Sequence, residues 1–428
     1  MVVRQRSSEA SAPVVRAPED VPAFPQTPEN TTLDETLGRY HREKSSRTLN
    51  IAKGLGVVAV CVALKGGLFV ATDVAQGIQE GKERVKTDHA EVHEIYTYDG
   101  DDPLFEHHGT FVMTGLGTKD ASSTAETLVA HRDVGDVYAI EYSNKNLNTA
   151  DIATRIIDQA EAADLQEVSL DGYSMGGPIA LDIASHMKEK APDVKVVSVT
   201  LNSSPIGENG LTKRSEDGVR MMEQILSLHD DLVYYERGRV LVELVARSDR
   251  YLTREDDATP TLGFTPHSLT SYSYNGTRYH VDIAALRHEL GDIQQKMQQP
   301  NVADANLISK QANILKMNID EKIQALDDDT QVVYTRSNTA SGDSVVNIDA
   351  SEESIVASLE HYNKDYVVLR EDVQHANPAE RRAEYDRMIR RDIQPSITDQ
   401  LAVRAMERAV SAEHTDHVVV AKEDRRQP

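Results

Sequence analysis

The chain of 428 residues has room for two or three structural units, and 39% hydrophobic against 27% charged residues excludes wholesale disorder. Its 46 Lys and Arg against 70 Asp and Glu leave a formal charge of −24, which repels a polyanion and removes nucleic acid from the expected partners. A lone Cys61 excludes an intrachain disulfide and a cysteine zinc cluster, and the absence of Trp with 5% aromatics argues against stacking platforms, so small-molecule and acyl chemistry are favoured.

Residues 1–50 carry Pro13, Pro18, Pro22, Pro25 and Pro28 without a sustained apolar period, which predicts a disordered arm. Gly54 to Thr72 follows, 19 residues interrupted by the single charge of Lys65, and it is the candidate transmembrane helix. A central lysine costs about 2.5–3.5 kcal/mol, roughly what the apolar residues of the segment gain, so Lys65 would have to snorkel or face a partner. The basic residues between Arg39 and Lys53 place the N-terminus in the cytoplasm if the segment spans; a Val/Gly-rich segment packed on a soluble, cytoplasmic core is the alternative.

From residue 90 short apolar runs alternate with helical patterns. Strands are expected at Glu91 to Gly100, Gly109 to Gly115, Asp136 to Ser143 and Val194 to Pro205, and Gln166 to Gly177 reads as a strand running into a tight turn, with helices between, which predicts an α/β fold built on a mostly parallel sheet with helices on both faces. Residues 208–327 break the alternation. Met221, Ile225, Leu228 and Leu232 form one apolar stripe and Leu315, Ile319, Ile323 and Leu326 another, around a hairpin signalled by Asn275-Gly276, so a large, mainly helical insertion is expected. Strands return at Thr330 to Ser337 and Asp365 to Glu371 within the second core part, 328–392, which ends in a closing helix at 379–392; residues 393–428 read as a polar tail with one further helix.

Gly172-Tyr173-Ser174-Met175-Gly176 matches G-x-S-x-G between a predicted strand and a predicted helix, where a strained turn would push the Ser174 hydroxyl above the sheet. An ordinary glycine-rich turn would read the same in isolation. A serine needs a base and a group to orient that base. His375 lies just beyond the last predicted strand, on the side of the elbow, although a surface histidine would also fit its polar loop. Asp343 is the one acid in Thr335 to Val346 and is chosen as the orienting group, with Asp349 and Asp372 as substitutes and a turn-forming aspartate as the plainer reading. Backbone N–H groups of Met175 and of Leu116, in the open Thr114-Gly115-Leu116-Gly117 loop, are the expected oxyanion donors; a plain glycine-rich loop is the alternative.

These residues resemble the α/β-hydrolase superfamily in the chain order Ser174, Asp343, His375 and in an insertion after the strand that follows the elbow. The resemblance covers 90–207 and 328–392. It implies an eight-stranded, mostly parallel sheet, a lid at 208–327, Ser-His-Asp acyl transfer, and no metal or organic cofactor. Thr114 departs from it, standing where many members carry His. The expected activity is hydrolysis of a carboxylic ester or thioester of a small-molecule or lipid substrate. A non-catalytic scaffold, an acyltransferase or a peptidase on the same fold are the alternatives, and oligomeric state is left open.

Overall fold

The computed structural model describes residues 2–5, 79–83, 86, 88–213, 250–256, 264–268, 271–274, 277–297, 299, 301–339, 342–371, 375 and 378–424, with isolated positions between 215 and 247. The candidate span Gly54–Thr72 and the stripe Met221 to Leu232 lie outside the described residues. Among the described residues no helix is long and apolar enough to cross a membrane.

In chain order the strands of the main sheet are β1 (Val2–Gln5), β2 (Glu91–Tyr96), β3 (His108–Met113), β4 (Asp136–Glu141), β5 (Glu167–Tyr173), β6 (Lys195–Asn202), β11 (Gln331–Ser337) and β12 (Tyr366–Glu371). Their spatial order is β1-β12-β11-β6-β5-β3-β4-β2, with antiparallel pairing at the two edges and parallel pairing between. The eight-stranded, mostly parallel expectation holds, with each central strand read to within a few residues. Strand β1 corrects the reading of 1–50 as wholly disordered: Val2 to Gln5 pair with Leu369 to Tyr366. The proline content that argued for a disordered arm begins only at Pro13.

Period-two alternation, shifted by one residue in β6 where the β5 pairing passes from Val196 to Ser198, divides the core between the faces. On one face Phe111, Leu170, Leu201, Val332 and Val368 pack with helices α2 (Thr149–Ala162) and α3 (Gly176–Lys190) through Ile152, Ile156, Ile179 and Ile183. The Asn148 side chain caps α2 by accepting from Asp151 N, at the point where the apolar spacing begins. On the other face Val112, Val197, Val333 and Val367 meet α1 (Ser122–Thr127), α8 (Arg382–Met388), a π-helical turn (Ile389–Ile393) and α9 (Gln394–Asp424).

Helix α9 is the further helix expected in 393–428, and what departs from the polar-tail reading is that its first turns pack on the core. Ile397 and Leu401 are buried in this second core layer, each contributing roughly 1.5–3 kcal/mol on the usual scale for a buried aliphatic side chain. Ile393, Ile397 and Leu401 recur at i, i+4 and are all buried, a helical stripe that the polar composition of the surrounding residues masked.

Between β6 and β11 the described residues form more than helices. β7 (Leu252–Asp256), β8 (Phe264–Ser268), β9 (Ser271–Tyr274) and β10 (Thr277–Val281) make an antiparallel sheet in the order β7-β10-β9-β8. The hairpin expected at 271–281 is its β9-β10 pair, and the remaining strands refine the mainly helical expectation. Their polar and charged side chains hide the strand period. Helices α4 (Ile283–Met297), α5 (Ala305–Asn313) and α6 (Ile319–Ala325) follow. The stripe Leu315, Ile319, Ile323 and Leu326 is buried as expected, but a break at Met317-Asn318 divides it between a 3-10 turn and α6. α7 (Ile348–His361) joins β11 to β12.

Candidate active site

Strand β5 ends at Tyr173, α3 starts at Gly176, and Ser174 between them has φ of 53°. A non-glycine residue in the left-handed region costs energy, and its surroundings enforce it here. Ser174 N donates to Asn202 O at 2.8 Å and Gly177 N to Ser174 O at 3.0 Å. A Cβ on Gly172 would come within 2.3 Å of Gly176 O, and one on Gly176 within 2.7 Å of Met113 O, so the flanking glycines are steric requirements of the turn.

His375, Asp343 and Ser174 are brought together from three loops beyond the same ends of β12, β11 and β5. His375 Nε2 lies 3.0 Å from Ser174 Oγ, and Nδ1 lies 2.9 Å from Asp343 Oδ2. With Nδ1 protonated and donating to the carboxylate, Nε2 accepts from the serine hydroxyl. The histidine side chain is 25% exposed and that of Asp343 0%. Asp343 Oδ1 accepts from Val345 N at 2.8 Å and Val346 N at 2.9 Å, so the aspartate is a turn former through one oxygen and holds the imidazole through the other. The two sequence readings of Asp343 are therefore compatible. Of the substitutes, Asp349 is exposed and paired with Arg336 at 2.8 Å, and Asp372 lies outside the described residues.

Gly115 abuts the elbow: a Cβ there would stand 2.8 Å from Ser174 Cβ and 3.3 Å from Met175 N. Among the described residues neither Leu116 N nor Met175 N donates a hydrogen bond. Met175 opens the 15-residue helix α3, whose N-terminal dipole favours negative charge at the same spot. Tyr142 OH donates to Thr114 O at 3.0 Å and fixes the start of the loop; burial pushes that phenol up, so it remains a donor. The Met175 side chain packs on Leu211 and Leu315.

Sequence reasoning passed over a buried set on the opposite face of β5. His131 Nε2 lies 2.7 Å from Asp171 Oδ2, to which Tyr173 OH also donates at 3.1 Å, and Asn202 Nδ2 donates to Oδ1. Asp171, an acid between Leu170 and the elbow glycine Gly172, three residues before the elbow serine, was the signal for it. Glu91, His93 and Glu141 gather metal-ligand types within 4.8 Å, at the β2 edge. There Glu141 already accepts from His93 Nε2 at 2.8 Å and Lys119 Nζ at 2.5 Å. Burial opposes the Glu141 charge, yet these two donors hold its carboxyl below the usual range, the ammonium supplying the charge a cation would bring.

Strand order, helices on both faces and an elbow at the end of β5 define an α/β-hydrolase fold. No protein-family model and no curated protein matches the chain. Solved structures similar to it include a variant of the meta-cleavage product hydrolase of Pseudomonas fluorescens, at 15% identity and a TM-score of 0.38 over 70% of this chain and 92% of that one. A Paleococcus ferrophilus monoacylglycerol lipase gives 12% and 0.40 over 73% and 99%. An Exiguobacterium antarcticum esterase gives 12% and 0.40 over 70% and 93%.

Proposed function

We propose that the protein is a serine hydrolase that cleaves carboxylic ester or thioester bonds through an acyl-enzyme on Ser174. The observation that carries this reading is the hydrogen-bonded run from Ser174 Oγ through His375 to Asp343 Oδ2, at 3.0 and 2.9 Å, on a strained strand-to-helix turn. Ser174 Oγ attacks the acyl carbon while its proton passes to His375 Nε2; Asp343 stabilises the imidazolium and fixes its tautomer. The oxyanion is held by Leu116 N–H and Met175 N–H. His375 returns the proton to the departing alcohol or thiol, and water attacks the acyl-enzyme through the same base to release the acid and restore Ser174. No step in this sequence calls for a metal or organic cofactor.

The segment 208–327 serves in this reading as a lid that shapes an apolar acyl site, and Gly54 to Thr72 tethers the enzyme to a membrane where lipid substrates reside. Alkaline washing of membranes carrying the full chain tests the tether, and release of the protein removes it. The central test is labelling by a fluorophosphonate, whose phosphonyl oxygen takes the place of the oxyanion. Stoichiometric labelling at Ser174, abolished by Ser174→Ala and strongly slowed by His375→Ala, is expected. Folded protein that stays unlabelled, with detergent or a short-chain ester present as well, points to a scaffold. A panel of acyl esters and thioesters of graded chain length then separates the substrate classes.

A further inference from the structure

The loop after β3 owes its shape to a residue nearly two hundred positions away. Gly115 to Thr118 close a turn through Thr118 N donating to Gly115 O at 3.3 Å, with Gly117 at φ of 86° as a type II turn requires. Such a turn exposes polar backbone groups that need partners when buried. Gln311, fully buried on α5, supplies them: its Oε1 accepts from Gly117 N at 2.9 Å, and its Nε2 donates to Gly115 O at 3.3 Å and Thr118 O at 3.0 Å. Both functions of one amide are thus spent on a single turn. The Leu116 N–H, between two clamped residues, makes no hydrogen bond among the described residues.

The clamp is itself held. Asp304 caps α5 by accepting from Leu307 N at 3.0 Å, and Asn306 Nδ2 donates to Asn144 O and Lys145 O at 2.7 and 2.8 Å. Backbone bonds from Ala303 N to Gly117 O at 3.1 Å and from Lys119 N to Asn301 O at 2.7 Å lace the same two segments together. The chain returning from the inserted segment therefore forms one wall of the oxyanion loop.

We infer that Gln311 is a positioning residue for acyl transfer: by clamping Gly115, Gly117 and Thr118 it fixes the Leu116 N–H as an oxyanion donor beside Ser174. The inference rests on the serine-hydrolase reading. A carboxylate at 311 would face two carbonyl oxygens and repel them, whereas a neutral carboxylic acid could accept from Gly117 N and donate to Thr118 O. An apolar side chain would make none of these bonds.

The full chain, its Gln311→Met and its Gln311→Glu variants are compared by the rate of fluorophosphonate labelling at Ser174 and by kcat and KM on a short-chain aryl ester. Gln311→Met should label on the order of 100-fold more slowly, the lower end of the loss when an oxyanion donor is removed. The loss should fall on kcat with KM little changed, and backbone amides of residues 114–119 should exchange hydrogen faster. For Gln311→Glu the labelling rate relative to the parent should rise several-fold from about pH 8 to about pH 6, as the buried carboxyl takes up its proton. Folded Gln311→Met that labels at the parent rate overturns the inference. If Gln311→Met does not fold, a flat Gln311→Glu ratio over the same pH range overturns it. Failure of the parent itself to label overturns the hydrolase reading and this inference with it, and is seen before any variant is compared.

Discussion

His375 and His131 each lie against an aspartate, 2.9 Å from Asp343 and 2.7 Å from Asp171, yet the two pairs sit in opposite surroundings. The first stands beyond the ends of the strands with its imidazole 25% exposed and a serine hydroxyl at its other nitrogen. The second is sealed between the sheet and its helices, each side chain 2% exposed, and His131 Nδ1 has no partner among the described residues. Tyr173 OH and Asn202 Nδ2 close the shell around Asp171, and Thr335 Oγ1 donates to Asn202 Oδ1 at 2.7 Å. Burial, then the neighbouring Asp171, push the Tyr173 phenol far up, so it serves there as a donor. In the proposed hydrolase the same two residue types differ in role because only the His375 imidazole meets a serine hydroxyl at its other nitrogen. The inner pair braces the strand, and Asn202 O, part of the same cluster, accepts the elbow's Ser174 N–H.

Removing each aspartate separates these roles. Asp343→Asn should lower turnover by about 10⁴-fold, the order seen when the acid of such a triad becomes an amide, while thermal unfolding shifts little. Near-normal turnover would move the role to Asp349 or Asp372. Asp171→Ala should do the reverse, costing about 3–5 kcal/mol of stability by leaving a buried polar cluster without its acceptor. Denaturant unfolding measures that cost. Well below the melting temperature, turnover should fall far less than in Asp343→Asn, and an equal loss would erase the distinction between the pairs.

A second buried histidine adds a pH dependence. His108 at the start of β3 faces Val134 O at 2.5 Å and Ser169 Oγ at 2.8 Å. Burial first, and the nearby His131 as a smaller cause, lower its pKa to about 4 from 6.5, against the opposing pull of the Val134 carbonyl. The unfolded chain then takes up the proton before the folded one does. The neutral-histidine fold keeps its full stability above the ordinary value and loses up to about 3 kcal/mol as pH falls from about 6.5 to about 4. Unfolding followed across that range should show the slope in the parent and a flatter one in His108→Gln. The smallest effect is expected at the rim of the inner cluster. Thr335→Val removes one buried hydrogen bond at nearly constant volume and should cost about 1 kcal/mol, with turnover unchanged.

Central strands, the elbow at Gly172 to Gly176, and the order Ser174, Asp343, His375 were all determined by the sequence itself. Period, turn chemistry and a strand-flanked G-x-S-x-G are local signals, and each is imposed by sterics within a few residues. Tertiary structure alone decided that Asp343 could turn one oxygen to Val345 and Val346 and the other to His375, because that depends on how loops after β11 and β12 meet. It alone brought Val2 to Gln5 onto β12 and buried Ile397 and Leu401 of α9, since a sheet edge and a sheet face recruit whatever segment the topology delivers. Gln311 is the clearest case: an amide on a short helix carries no local mark of its role, and only the approach of α5 to Gly115 to Thr118 gives its three hydrogen bonds their partners.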